Sequence, residues 1–236
     1  MHDISIRELT KSYMAAGKRH TVLQQLDLTL YAETFHVLIG KSGCGKTTLL
    51  RLLAGLDTPD SGRIDFGNKP PKIGIVFQEP RLYPWLTVME NICLWQYGKR
   101  GGSRKKAEYY LHRLGLASYK DAYPHQLSGG MAQRAAIGRA LSYEPELLLL
   151  DEPFGALDYF TRQQLQEELM QLYTDEKKTI LFITHDITEA ARLGERLLVI
   201  NNGRIAAEIL QNEPYPRPAL ADRVSLQQRM LFALQS

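Results

Sequence analysis

The sequence predicts an α/β fold in which a parallel sheet is flanked by helices and carries two additions, an N-terminal antiparallel β subdomain and an α-helical subdomain. Short apolar runs alternate with helical patterns between about residues 35 and 200, which is typical of strands covered on both faces. Before residue 35, apolar and polar side chains alternate more regularly, as they do in half-exposed strands. We therefore expect one domain over residues 1–236, with the helical subdomain at roughly 86–142 and a short tail at roughly 212–236.

The core strands are predicted from four short apolar runs, at residues 35–39, 73–77, 147–150 and 180–183. A helix is expected after the first run, because five leucines fall on one helical face: Leu49, Leu50, Leu52, Leu53 and Leu56. Residues 4–9 and 22–30 predict half-exposed strands. Towards the C-terminus, Asn202 and Gly203 lie between two apolar runs and predict a β-hairpin. The proline-rich residues 214–218 predict an extended connector to a final short helix.

The composition is that of a soluble globular protein, with 44% apolar and 23% charged residues among 236, so disordered and fibrous classes are excluded. The net charge of +3 does not indicate a nucleic-acid partner. No apolar run approaches the roughly 18 residues of a membrane-spanning helix, and the first residues lack a signal-peptide pattern. Cys44 and Cys93 have neither metal-ligand spacing nor a disulfide framework. We expect a cytoplasmic chain that reaches a membrane only through a partner.

The strongest local motif lies between the first core strand and its helix, where residues 40–47 match the phosphate-binding loop pattern. Its glycines let successive backbone N–H groups point at phosphate oxygens, and the helix N-terminus faces the same anion. The lysine supplies a charge for the β and γ phosphates, and the threonine after it can ligate Mg²⁺. The nucleotide-binding residues predicted here are Gly40, Lys41, Ser42, Gly43, Cys44, Gly45, Lys46, Thr47 and Thr48.

A pair of carboxylates, Asp151 and Glu152, ends the apolar run at residues 147–150. A buried strand that ends in an acid places Asp151 beside the phosphate loop, where it can hold Mg²⁺. Glu152, which is expected to point the other way along the pleat, can accept a proton from an attacking water molecule. Such a run before two acids is by itself typical of a strand edge and a turn. After a phosphate loop it indicates a metal ligand and a base.

A second anion-binding element opens an alanine-rich helix at residues 131–141 and consists of Ser128, Gly129 and Gly130. The serine can cap the helix, and the glycines expose backbone amides. Such an element on a chain with a phosphate loop is unusual unless the nucleotide of another subunit uses it. Together with Leu127 it resembles the Leu-Ser-Gly-Gly-Gln signature of the ATP-binding-cassette family, whose fold has a P-loop NTPase core. The motifs follow the family's order over nearly the whole chain, and the departure is Met131 in place of glutamine.

The resemblance implies roles for four further residues. Tyr13 corresponds to an aromatic residue that stacks on adenine, and Gln78 to a glutamine that touches Mg²⁺ and relays to the membrane subunit. Asp158 lies in the loop that crosses the dimer interface, and His185 corresponds to the histidine that contacts the γ phosphate and orients the base. Without the resemblance, Tyr13 fits an ordinary strand surface, Asp158 a helix cap and His185 a structural role. The predicted catalytic residues are then Glu152, His185 and Lys46, and the predicted metal ligands Thr47, Gln78 and Asp151.

The resemblance also implies ATP and Mg²⁺ as cofactors and a head-to-tail homodimer. Each ATP would lie between Lys46 and Thr47 of one chain and Ser128 and Gly130 of the other. ATP binding would close this dimer and hydrolysis would reopen it. Further implied partners are two transmembrane permease subunits and a solute-binding protein, with the chain peripheral on the cytoplasmic face of the membrane.

Met131, residues 79–88 and residues 214–218 resemble the sulfonate, nitrate and taurine importer branch of the family. The resemblance predicts an importer of a small solute such as sulfonate, nitrate, taurine or a thiamine-precursor pyrimidine. The alternatives are an exporter cassette subunit and a soluble P-loop NTPase that is not tied to transport. A GTPase would need Asn-Lys-x-Asp, whereas Asn68 and Lys69 are followed by two prolines. A non-hydrolysing regulatory module is disfavoured, because every catalytic position is filled.

Overall fold

The computed structural model describes residues 2–15, 17–94, 104–217 and 224–235. The chain divides into two compact units, the first formed by residues 1–71 and 177–236 and the second by residues 72–176. The elements in chain order are β1 (Ile4–Ala15), β2 (Lys18–Leu30), β3 (Phe35–Ile39), α1 (Lys46–Leu53), β4 (Ser61–Asp65), β5 (Ile73–Val76), α2 (Val88–Ile92), α3 (Arg104–Arg113), α4 (Gly129–Ser142), β6 (Leu147–Asp151), α5 (Tyr159–Glu176), β7 (Thr179–Thr184), α6 (Ile187–Leu193), β8 (Arg196–Asn201), β9 (Arg204–Leu210) and α7 (Val224–Gln235).

The first unit contains the predicted antiparallel sheet, with strand order β2-β1-β4. Both predicted N-terminal strands are present, but each is longer than the alternation indicated. The register of β1 shifts between Ile6 and Leu9, and Glu8 has a φ of 48°. This bulge interrupts the regular alternation from which the shorter strand was predicted. Gly62 packs against it, because a Cβ there would lie 2.4 Å from the Glu8 carbonyl oxygen.

The first unit also contains the strands β7-β3-β8-β9, in that order. The strand β3 is parallel to β7 and to β8, and all five of its residues are buried, as expected for a strand covered on both faces. The strands β8 and β9 form the predicted hairpin. Its turn places Asn202 at φ 47° and Gly203 at φ 73°, the left-handed pair that a tight two-residue hairpin requires. The hairpin prediction is therefore confirmed.

The helix α1 buries four of the five leucines predicted for its face: Leu49, Leu50, Leu52 and Leu53. The fifth, Leu56, lies beyond the helix and is exposed, so that part of the prediction is wrong. Gly55 adopts φ 67° and the Leu56 N–H bonds the Arg51 carbonyl, which ends the helix before the leucine can join its face.

The second unit pairs β5 with β6 in parallel and packs α4 against α2, α3, α5 and β5. Thr87 and Glu90 form a capping box at the start of α2. Short 3-10 turns at Ala117–Tyr119 and Pro124–Gln126 join α3 to α4. The region predicted to be mostly helical is helical where it is described, and its residues 95–103 lie outside the described part.

The C-terminal helix α7 packs on β8, β9 and α6 of the first unit. Of the predicted connector, residues 214–217 are described, and the Tyr215 hydroxyl there donates to the Leu193 carbonyl. Residues 218–223, which complete the link to the helix, lie outside the described part. None of the helices in the described ranges combines the length and apolar character needed to cross a membrane.

His36, the second residue of β3, is buried, and burial is the main cause that lowers its pKa to about 4. Its Nε2 accepts the Tyr31 N–H at 3.0 Å, and its Nδ1 has no hydrogen-bond partner among the described residues. Unfolding restores a pKa near 6.5, so the unfolded chain binds more protons between pH 6.5 and 4. The contribution of His36 to the free energy of unfolding should therefore be fully present above pH 6.5 and should decrease as the pH falls from 6.5 to 4.

Because of His36, we expect the free energy of unfolding to be about 2 to 3 kcal/mol lower at pH 4.5 than at pH 7. Urea unfolding of the parent and of His36→Gln at both values measures this difference. The glutamine retains an acceptor but does not titrate, so its stability should depend less on pH. Equal pH dependence in the two proteins would contradict the assignment.

Candidate functional site

The phosphate loop joins β3 to α1 in the first unit, and its shape requires glycine at two positions. A Cβ at Gly40 would lie 2.5 Å from the Cys44 Sγ and 2.6 Å from the Ile200 carbonyl oxygen. Gly45 adopts φ 106° directly before α1 and supplies no side-chain cap. The first turn of the helix is therefore left for an incoming acceptor, which is the arrangement that binds phosphate at helix N-termini.

Lys46 is buried at the base of this loop, with only 5% of its surface exposed. Its Nζ donates to the carbonyl oxygens of Gly40 and Lys41, at 2.8 and 3.0 Å. These contacts hold the ammonium group across the loop. The neighbouring predicted residues Lys41, Ser42, Gly43 and Thr47 are exposed, and Cys44 and Thr48 are partly exposed. A buried cation under an exposed rim is the electrostatic setting that a polyphosphate needs.

Tyr13 lies near the end of β1 and is 38% exposed. Its hydroxyl donates to Asp57 Oδ2 at 2.7 Å and is also hydrogen-bonded by the Thr48 side chain. Burial, followed by the contact with Asp57, raises the pKa of the phenol. The structure therefore brings Tyr13 next to the last residue of the predicted phosphate loop.

His185 follows β7 and is exposed. Its neighbours are fixed on both sides, because the Thr184 hydroxyl bonds Glu189 at 2.6 Å and the Asp186 carboxylate caps α6. The parallel register pairs Ile39 with Thr184, so His185 leaves the sheet at the same edge as the phosphate loop. The first unit thus collects Tyr13, the loop and His185.

In the second unit, Asp151 ends β6 and is buried, and Glu152 follows outside the strand. Glu152 has a φ of 44°, so its backbone adopts a left-handed conformation. The expectation that its side chain follows the pleat of the strand is therefore wrong. The register pairs Val76 with Leu150, which brings Gln78 and Glu152 to one edge of this strand pair.

Gln78 is exposed, and its side-chain amide lies against the turn after Glu152. A Cβ at Gly155 would be 3.4 Å from the Gln78 Nε2, and the Gly155 N–H donates to the Glu152 carbonyl at 3.2 Å. A left-handed non-glycine residue costs free energy and is common at functional sites. The second unit therefore gathers Gln78, Asp151 and Glu152.

Ser128 caps α4, with its Oγ accepting the Met131 N–H at 3.3 Å. This contact uses only the backbone of Met131, so the departure from glutamine leaves the cap intact. Gly130 is buried against α5, because a Cβ there would lie 2.5 Å from Thr161 Cγ2. The Thr161 N–H donates in turn to Asp158 Oδ1 at 3.1 Å. Hydrogen bonds from the Thr161 side chain and then from its backbone N–H lower the pKa of Asp158. The start of α4 and the Asp158 loop thus form one cluster.

Two residues of α4 that were not predicted hold the segment around Gln78. Gln133 Nε2 donates to the Phe77 carbonyl at 3.2 Å, and the Arg139 guanidinium donates to the carbonyls of Pro80 and Arg81 at 3.0 and 2.8 Å. One helix therefore carries the Ser128 cap at its start and fixes the backbone on both sides of Gln78. The only sign of these roles in the sequence was a glutamine and an arginine, Gln133 and Arg139, within an alanine-rich helix.

The predicted Mg²⁺ ligands are all oxygen donors: the Thr47 hydroxyl, the Gln78 amide and the Asp151 carboxylate. Over the described ranges, no three His, Cys, Asp or Glu side chains gather into a metal-binding group. Mg²⁺ is commonly held by one or two carboxylates together with substrate phosphates. The donor set therefore fits an ion that arrives with a nucleotide, and it does not fit a metal held by protein alone.

Comparison with known proteins gives consistent matches. Residues 23–155 match the family model described as ABC transporter. The chain is 42% identical over 236 residues to the aliphatic sulfonates import ATP-binding protein of Bacillus subtilis, covering 97% of this chain and 92% of that protein. It is 41% identical over 233 residues to the bicarbonate transport ATP-binding protein of a Synechocystis species, covering 94% and 82%.

Among solved structures, the dimeric post-hydrolysis state of the ATP-binding cassette MJ0796 with ADP and phosphate superposes with a TM-score of 0.80. It is 32% identical and covers 89% of this chain and 100% of that one. The likeness confirms the predicted fold, a sheet flanked by helices with an antiparallel β subdomain and a helical subdomain.

Proposed function

Because this chain belongs to the ABC transporter family, it is an ATP-binding ATPase, and we propose that its hydrolysis of ATP powers the import of a small solute. The single observation that carries the nucleotide role is the phosphate loop with its buried Lys46. Its open helix N-terminus and its ammonium group are suited to the β and γ phosphates. Membership in this family also removes the alternative of an unrelated GTPase or kinase.

Five residues are assigned to hydrolysis and to the metal ion that it requires. Glu152, placed on its left-handed turn, accepts a proton from the attacking water, and His185 holds the γ phosphate. Thr47, Gln78 and Asp151 are the ligands proposed for Mg²⁺, which when bound neutralises charge on the β and γ phosphates. This assignment is supported by the shared sheet edge of Gln78 and Glu152 and by the oxygen-only donor set.

The chain works as a homodimer in which Ser128 and Gly130 of one copy face the nucleotide bound by the other. The exposure of Ser128 supports this arrangement, and so does the packing of Gly130 against Thr161, which bonds Asp158, since these residues would meet a second copy together. The solved relative MJ0796 is described as a dimer, which supports it further.

The transported solute is a small oxyanion or a related anion. The relatives above are described as ATP-binding proteins for aliphatic sulfonates and for bicarbonate. The branch predicted from Met131 and residues 79–88 points to the same chemistry. Such a subunit acts with two permease subunits and a solute-binding protein and lies at the cytoplasmic face of the membrane. An exporter role remains the second candidate, with no observation in its favour.

Complementation tests the transport role. We expect this chain to restore growth on an alkanesulfonate as sole sulfur source in Bacillus subtilis that lacks its aliphatic sulfonates import ATP-binding protein, because the two chains are 42% identical. The measurement is the growth rate, with sulfate as the permissive control.

The matched control is Lys46→Ala, which should not restore growth. An ATPase assay of the purified chain is an independent test, in which phosphate release from ATP should require Mg²⁺ and should stop when EDTA is added. Growth restored equally by the parent and by Lys46→Ala would contradict the proposal. So would hydrolysis that prefers GTP to ATP.

A further inference from the structure

Tyr13 is held from its hydroxyl end by a residue outside the predicted motifs. Asp57 lies just after α1, 44 positions along the chain, and its Oδ2 accepts the Tyr13 hydroxyl at 2.7 Å. A partly exposed tyrosine on a strand ordinarily turns its hydroxyl to water. Here the contact fixes the outer end of the ring, so the ring orientation is set before any ligand arrives.

Asp57 is itself held by further donors. Lys11 Nζ donates to its Oδ1 at 2.7 Å, and the Thr58 N–H donates to the same oxygen at 2.8 Å. The Lys11 ammonium also donates to the Thr58 carbonyl at 2.7 Å and is almost fully buried. The hydrogen bonds from Lys11 and then Tyr13 lower the pKa of Asp57 to about 2. The anchor therefore stays ionised at neutral pH.

The two faces of the Tyr13 ring are unequal. The Lys11 ammonium lies over the ring, 5.2 Å from its centroid, in a cation–π arrangement. Tyr13 nevertheless remains 38% exposed, and its hydroxyl is bonded by Thr48 of the phosphate loop. One face of the ring is therefore taken by the ammonium, and the hydroxyl end of the ring lies beside the nucleotide-binding loop.

We propose that Asp57 and Lys11 are positioning residues that hold Tyr13 as a one-sided stacking platform for the adenine of ATP. The inference rests on the proposed function and adds to it how the platform is fixed. A preset ring avoids the loss of side-chain freedom that stacking would otherwise incur. Neither Asp57 nor Lys11 touches the nucleotide; both act through Tyr13.

The test separates base recognition from phosphate recognition. For Asp57→Ala we expect the KM for ATP to rise roughly 3- to 30-fold, which is part of the roughly 5- to 150-fold that complete loss of base stacking on an aromatic would cause, while kcat changes less than about twofold. Inhibition by inorganic tripolyphosphate, which has no base, should be unchanged. The matched control is Asp60→Ala, on the same loop, whose carboxylate binds Arg19 and the Ser12 N–H and does not touch Tyr13.

A second variant covers the case in which Asp57→Ala does not fold. Tyr13→Phe keeps the ring and removes only the hydroxyl that Asp57 anchors, and it should raise the KM for ATP in the same direction. If Asp57→Ala and Asp60→Ala both weaken the binding of ATP and of tripolyphosphate to the same extent, Asp57 supports the loop as a whole and the inference is overturned. An unchanged KM in Asp57→Ala and Tyr13→Phe, with a parent that hydrolyses ATP, overturns the inference alone. A parent that neither binds nor hydrolyses ATP overturns the proposed function as well.

Discussion

Replacing Glu152 with glutamine is expected to lower steady-state ATP hydrolysis at least 100-fold while ATP binding persists. General-base catalysis contributes roughly 10² to 10⁴ to a rate, and an amide cannot accept the proton of the attacking water. The substitution keeps the size of the side chain, so the left-handed turn at φ 44° should survive. Phosphate release measures the loss, and a shift in ATP affinity would show whether binding is affected.

The same variant should accumulate as a dimer in ATP, because the nucleotide that closes the interface is no longer consumed. Size-exclusion chromatography with and without ATP measures this. Glu108→Gln is the matched control, since Glu108 is an exposed carboxylate on α3 that pairs only at the surface with Arg104. Hydrolysis by Glu152→Gln at the parental rate would show that the base lies elsewhere.

Replacing Lys46 with alanine is expected to weaken ATP binding by roughly 10²- to 10³-fold. Hydrogen bonds to a charged group contribute about 1.5 to 3 kcal/mol each, and two phosphates would lose their partner at once. Because ligand binding raises the melting temperature by mass action, the variant should need roughly 10²- to 10³-fold more ATP than the parent for the same stabilisation. Thermal unfolding with increasing ATP measures both affinities.

Lys41→Ala is the control for this substitution. Lys41 belongs to the same loop and is predicted to bind phosphate through its backbone N–H, which alanine retains. Its side chain is exposed, and its carbonyl, which Lys46 contacts, is also retained in the variant. Its ATP affinity should stay within a few fold of the parent. The variant Lys46→Ala also loses two hydrogen bonds to the loop, so its melting temperature without ATP is measured first. ATP affinities that are equal in Lys46→Ala and the parent would refute the role of the buried ammonium.

The features that sequence reasoning predicted well depend on short stretches of chain. The strand β3 is predicted because four of the five residues in Phe35–Ile39 are apolar, and such a run is typical of a strand covered on both faces. The hairpin at Asn202 and Gly203 follows from the backbone freedom that its turn needs. The phosphate loop is predictable for the same reason, since Gly40 and Gly45 occupy positions where a Cβ cannot fit.

The errors came where a neighbour distant in sequence, or a single backbone turn, overrides the local pattern. By helical spacing Leu56 belongs to the leucine face of α1, but the left-handed Gly55 ends the helix before Leu56. The bulge at Glu8 breaks the alternation of β1, which therefore runs further than the pattern indicated. Glu152 leaves its strand at a left-handed turn that no residue type in the sequence signals.

The sequence by itself determined that this chain is an α/β protein with a phosphate loop, an acid pair after a buried strand and a capped glycine pair. Those conclusions rest on residue type and spacing, which determine the local conformation of the backbone. Only the tertiary structure decided which groups hold these motifs in place. Asp57 reaches Tyr13 across 44 positions and Gln133 reaches Phe77 across 56. Such contacts depend on how strands and helices pack, and a side chain that acts at that range leaves no periodicity or local motif behind.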